Sequence, residues 1–114
     1  MPESNNRLSR YQIMWLFAMF DLPVKEKKQR KAYARFRNLL LNEGFDQLQY
    51  SVYARVCASE QVAGTIQAKL EAQLPPDGHV RLLAVTDRQF GKMQVFYGKN
   101  RGKPEGKPSQ LQLF

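Results

Sequence analysis

Between Ile13 and Phe20 the chain carries eight consecutive apolar residues and then turns abruptly into Asp21-Leu22-Pro23. A membrane-spanning helix needs about 20 such residues, and a half-exposed strand would alternate with polar ones. The run therefore predicts a strand buried on both faces, the pattern of a central strand. Pro23 fixes its own backbone and biases Leu22 away from helix, so the strand ends there. Asp21 is thereby placed at the carboxyl end of a central strand.

The rest of the chain organises around that strand. Ala32, Phe36, Leu39 and Leu40 fall at i, i+4, i+7 and i+8, the apolar face of a helix over residues 25–42, and Gly44 is its natural stop. From Asp46 to Cys57, Leu48, Tyr50, Val52, Ala54 and Val56 alternate with Gln47, Gln49, Ser51, Tyr53 and Arg55. Period two predicts extended structure, either one long strand or two bent near Tyr50-Ser51. Ser59 is placed to cap a second helix reaching Gln73, with Val62, Ile66 and Leu70 on one face, and Pro75-Pro76-Asp77-Gly78 breaks it. Residues 80–86 are apolar on both faces apart from Arg81 and read as another central strand; residues 93–97 read as a short strand.

These elements predict an α+β plait, one sheet with both helices on one face. The other sheet face then needs a cover. Strands apolar on both sides argue for a second sheet packed face to face, and so for a homodimer. Residues 1–9 form a polar lead to a domain ending at residue 97. Residues 98–109 turn to Gly, Pro and Lys, the composition of a flexible linker. The chain then ends Gln110-Leu111-Gln112-Leu113-Phe114. That alternation predicts a strand added through Leu111, Leu113 and Phe114 to a sheet edge, that of a partner protomer.

Composition closes off several chemistries. Cys57 and His79 are the only residues of their types, so an intramolecular disulfide and a multi-ligand Cys/His zinc site within one chain are excluded. Cys57 ends an apolar alternation and is expected to be a buried structural thiol. There is no Walker loop, HExxH or Gly-rich dinucleotide motif. The amino-terminal residues do not read as a secretory signal, and a cytoplasmic location is expected.

A net charge of +8 favours a polyanionic partner, and its distribution sharpens this. Lys25, Lys27, Lys28, Arg30, Lys31, Arg35 and Arg37 crowd the first helix against the single acid Glu26, with Lys27, Lys31 and Arg35 in one stripe. Like charges four residues apart repel, which a polyanion would relieve. Lys99, Arg101, Lys103 and Lys107 add a second cluster in the linker. No aromatic residue interleaves with the lysines of residues 25–31, so contact to a duplex backbone is better supported than base stacking on a single strand. Asp21 has two readings. It is a turn aspartate capping the first helix, or a Mg²⁺ ligand that pairs with its mate across a dimer axis.

Phe20-Asp21-Leu22-Pro23, Gln49-Tyr50-Ser51-Val52-Tyr53 and Thr86-Asp87-Arg88-Gln89-Phe90-Gly91, in that order, resemble the CRISPR-associated adaptation protein two family, most closely its type II-C members. The resemblance spans roughly residues 14–98, and the terminal Gln-Leu-Gln-Leu-Phe is similar to the family's partner-crossing last strand. It implies a ferredoxin-like homodimer that bridges two dimers of the CRISPR-associated integrase and holds double-stranded DNA for insertion into the repeat array. It also implies an alternative, a Mg²⁺-dependent endonuclease or endoribonuclease with Asp21 as catalytic metal ligand; toxin-type ribonucleases of similar fold are a third reading. Phe20 stands where many members have Tyr, and Gln47 where many have Arg. Both departures weaken the nuclease reading.

Overall fold

The computed structural model describes residues 12–98. The elements run β1 (Met14–Asp21), α1 (Lys27–Asn42), β2 (Asp46–Gln49), β3 (Val52–Cys57), α2 (Glu60–Glu71), β4 (His79–Thr86) and α3 (Asp87–Gly91). The sheet order is β2-β3-β1-β4 with every neighbouring pair antiparallel. This is a ferredoxin-like α+β plait with the apolar run at its centre, and all of β1 except Asp21 is buried or half-buried.

Alternation along β1 sorts its side chains into two cores. Met14, Leu16, Ala18 and Phe20 face α1 and α2, where they pack with Phe36, Leu40, Ile66 and Leu70. Fully burying side chains of this size contributes about 1.5–3 kcal/mol each. Trp15 and Phe17 face the other way, into a smaller cluster with Ala54 and Phe90. Phe20 anchors the end of the main core through edge-on contacts with Tyr33 and Phe36 and a stacked contact with Tyr53, with centroids 5.3–5.9 Å apart.

Capping sets the helix bounds. Helix α1 begins at Lys27 rather than Lys25 because Glu26 is extended, and the Gln29 side chain accepts from the Lys25 and Glu26 N–H groups at 3.0 Å each. Gly44, at φ +90°, follows its end as expected. In α2, Ser59 Oγ accepts from the Val62 N–H at 3.2 Å, which makes Ser59 the expected N-cap.

The extended stretch from Asp46 resolves into two strands. Ser51 takes φ 60°, and a register irregularity lies between Gln47 and Gln49, so the chain turns at Tyr50-Ser51. Two expectations need correction. Strand β4 is not central: among the described residues it pairs only with β1, and its outward apolar side chains lie on the sheet's open face, where Leu83 is 51% exposed. Residues 93–97 form no strand. The strand-forming side chains of Val95, Phe96 and Tyr97 sit on an irregular path. Immediately before them stands α3, which the sequence reading passed over. The polar lead, the basic linker beyond Gly98, and Leu111, Leu113 and Phe114 lie outside the described residues.

Candidate functional site

Three segments meet at the carboxyl end of β1. The β2–β3 turn docks there when the Phe20 N–H donates to the Ser51 carbonyl at 3.1 Å. The α2–β4 turn docks through Gly78, whose φ is +90° and whose position leaves no room for a side chain. A Cβ there would lie 2.6 Å from the Asp21 carbonyl oxygen and 2.8 Å from Leu22 Cδ2. Between them Asp21 is exposed on the open sheet face. It does not cap α1, whose first turn is closed by Gln29. Directly opposite Asp21 in the β1–β4 ladder is His79, also exposed, with Arg81 opposite Met19 on the same face. Directly opposed residues place their Cβ atoms about 4.5–5.5 Å apart, so Asp21 and His79 are side-chain neighbours. His79 stands just before the strand expected over residues 80–86, and in the fold it opens that strand. Ladder register, a tertiary property, brings it to Asp21.

The cations divide by what they already touch. Lys25, Lys27, Lys28, Lys31 and Arg35 are exposed and, among the described residues, make no ion pair; the one found there joins Lys69 to Glu43 at 3.4 Å. Arg30 is exposed, but its Nη1 donates to the Val24 and Lys25 carbonyls at 3.1 and 2.7 Å, which ties down the approach to α1. Arg37 is half-buried, and its Nε donates to the Tyr53 hydroxyl at 2.9 Å. Tyr53 is fully buried, so this bond satisfies a hydroxyl that would otherwise be stranded in the core. Lys27, Lys31 and Arg35 keep the stripe expected of them. With a rise of 1.5 Å per residue, they recur about every 6 Å along the helix.

Beside the stripe is a groove of about 350 Å³, between the first half of α1 and the Pro75-Pro76-Asp77 turn, with Leu22 and Pro23 at its base. Burial pushes the Tyr33 hydroxyl's pKa up at this end of the core, and the neighbouring Ser51 side chain works against that shift. Burial likewise raises the Cys57 thiol, which is 1% exposed, as expected of a structural cysteine.

The segment Thr86–Gly91 is a packing device. Thr86 Oγ1 accepts from the Gln89 N–H at 3.0 Å, and Gln89 Oε1 accepts from the Thr86 N–H at 2.9 Å, a reciprocal cap on α3. Asp87 takes the Trp15 indole N–H at 2.7 Å, while its own N–H donates to the Ile13 carbonyl at 3.0 Å. Phe90 stacks on Trp15 with centroids 4.0 Å apart and planes within 8°. Each named residue of the third motif thus helps seal one end of the open sheet face.

Fold and site together define a class: a ferredoxin-like protein with an acid at the end of its central strand and a cationic first helix beside it. The chain belongs to the family described as CRISPR associated protein Cas2, whose family model matches residues 14–93. It is 52% identical over 101 residues to a protein of Parvibaculum lavamentivorans named CRISPR-associated endoribonuclease Cas2, covering 89% of this chain and 100% of the relative. Proteins of the same name from Flavobacterium psychrophilum and Paracidovorax avenae are 38% and 41% identical, over 98% and 94% of this chain and 97% and 99% of theirs.

Proposed function

We propose that the chain is a double-stranded-DNA-binding subunit of a CRISPR adaptation complex, working in the cytoplasm as a homodimer that bridges integrase dimers. The observation that carries this reading is the run of exposed cations on α1 that make no ion pair among the described residues. Lys27, Lys31 and Arg35 recur at a spacing near twice the 3.4 Å rise per nucleotide of one DNA strand. The half-covered sheet face supports the dimer, since Val56 and Leu83 are left 47% and 51% exposed beside a core. Basic residues 98–109 and a terminal strand through Leu111, Leu113 and Phe114 extend the same reading to the partner and the integrase.

The test is the salt dependence of duplex binding. Each phosphate contact contributes about 0.9 log units of affinity per log unit of salt. Replacing Lys27, Lys28, Lys31 and Arg35 by Ala should flatten the slope and weaken all duplex sequences alike. Unchanged affinity and slope would remove α1 from the interface.

A second reading, endoribonuclease activity, is favoured by the names of the relatives and by the neighbouring Asp21 and His79. Among the described residues no group of three His, Cys, Asp or Glu side chains could hold a metal ion, and Asp21 brings one carboxylate to the end of β1. Two Asp21 side chains from paired copies, with water completing the shell, would fit Mg²⁺, which is commonly held by one or two carboxylates. Bound there, the ion would acidify water and neutralise phosphate charge. Asp21 would hold it, and His79 and Arg81 would face the scissile strand. Asp21→Asn separates the roles: spacer acquisition should persist while metal-dependent RNA cleavage disappears. Loss of acquisition in a variant that still dimerises would favour the enzyme.

A further inference from the structure

We infer that the groove between α1 and the Pro75-Pro76-Asp77 turn is a docking site for an acidic peptide segment carrying an apolar or aromatic anchor residue. Its base is made by Leu22 and Pro23, and Ala32, Pro75 and Pro76 continue an apolar lining. Lys28, Lys31 and Arg35 stand around it, all exposed and none ion-paired among the described residues. At about 350 Å³ it falls at the small end of the range for ligand sites, the size of one anchor side chain and its neighbours.

Charge complementarity selects the occupant. A duplex is a stiff rod whose phosphates meet the cations on the ridge of α1 and leave an apolar concavity below them empty. Asp77, exposed on the groove's opposite side, argues against a nucleic-acid backbone: phosphodiesters bring only acceptors, which a carboxylate repels. A peptide brings both halves of the match, carboxylates for Lys28, Lys31 and Arg35, and backbone N–H groups for Asp77. Because those three cations also belong to the proposed duplex surface, peptide and duplex compete. An acidic partner segment in the groove would hold the α1 face closed to DNA until displaced.

The experiment uses the full chain and a fluorescein-labelled peptide, acetyl-Glu-Asp-Phe-Glu-Asp-amide, read by anisotropy without DNA. A control peptide with Gly in place of Phe keeps the charge and loses the anchor. Burying a phenyl group is expected to make the Phe peptide bind about tenfold tighter than the control. In ¹⁵N spectra the perturbed amides should include Gln29, Ala32 and Asp77. Ala32→Leu fills the groove and leaves every cation in place, so it should abolish the preference for Phe while duplex affinity stays within about twofold. Equal binding of the two peptides to wild type, perturbed amides confined elsewhere, or an undiminished preference for Phe in a folded Ala32→Leu would each overturn the proposal. The spectra on wild type decide it even if Ala32→Leu fails to fold. Because the measurement needs no DNA, it can succeed where the duplex reading fails, and fail where that reading succeeds.

Discussion

Gly78 meets the backbone of Asp21 and Leu22 so closely that any side chain would strike it, and its φ of +90° is one that L-residues avoid. Gly78→Ala therefore carries a conformational cost of about 1–2 kcal/mol, with the steric displacement added to it. In a domain of this size the melting temperature should fall by roughly 5 °C or more. Calorimetry would show it, and an unchanged transition would mean that the turn can retreat from the strand end. A second residue links structure to pH. Because burial raises the Cys57 pKa, the native chain keeps a proton that the unfolded chain releases first. The contribution of this thiol is full below its ordinary pKa of about 8.5 and is lost as pH climbs past that value. The urea midpoint should fall between about pH 8 and 9.5 in the wild type. In Cys57→Ala, whose midpoint starts lower from the lost packing, it should fall less; parallel curves would assign the effect to other groups. Arg30 and Arg37 show the limit of reading a site from residue type. In the sequence they are two more cations of a basic helix, whereas in the fold one ties down a loop and the other satisfies a buried tyrosine.

Among the elements, those with a long period were legible. Strand β1 announces itself by eight apolar residues and a proline stop, and the cores of α1 and α2 by residues four apart. The bend between β2 and β3 was left open because Ser51 occupies a left-handed conformation usually marked by Gly or Asn. Helix α3 was missed because five residues are too few for a helical period to emerge. A signal was nonetheless present, since Thr86 followed three residues later by Gln89 is the pattern of a reciprocal cap. The edge position of β4 and the encounter of Asp21 with His79 belong to strand pairing, which no local pattern encodes. The groove is illegible for the same reason: its two sides lie some forty residues apart in the chain. Helix α3 also carries a prediction. Trp15 is the sole tryptophan, so the intrinsic indole fluorescence comes from the place where α3 packs on β1. Asp87→Ala strands the indole N–H in a part-buried site at a cost of about 1–3 kcal/mol. The emission should shift to the red and the quencher acrylamide should reach the ring. Emission identical to wild type would show that α3 stays docked without the Asp87–Trp15 hydrogen bond.

At the scale of the whole molecule, the plait has one face sealed by two helices and another that the described residues seal only at one end. If a second copy covers the remainder, Leu83→Lys should shift the chain towards monomer in light scattering and make the melting temperature less dependent on concentration. A variant that remains paired at micromolar concentration would move the interface elsewhere. Among the described residues no helix is long and apolar enough to cross a membrane.

The plug formed by α3 has a bearing on how far assembly can go. An all-apolar sheet face could slide along its mate in two-residue steps and recruit further copies at an offset, the beginning of a fibre. Here Phe90 and Trp15 raise a step at one end of the face, and Asp21, His79 and Arg81 make the other end hydrophilic. Among the described residues an apolar window around Val56 and Leu83 lies between them. A window bounded on both sides favours a single alignment of any copy that covers it. If a second copy covers that window, the five-residue helix limits how far assembly can extend as well as completing a core.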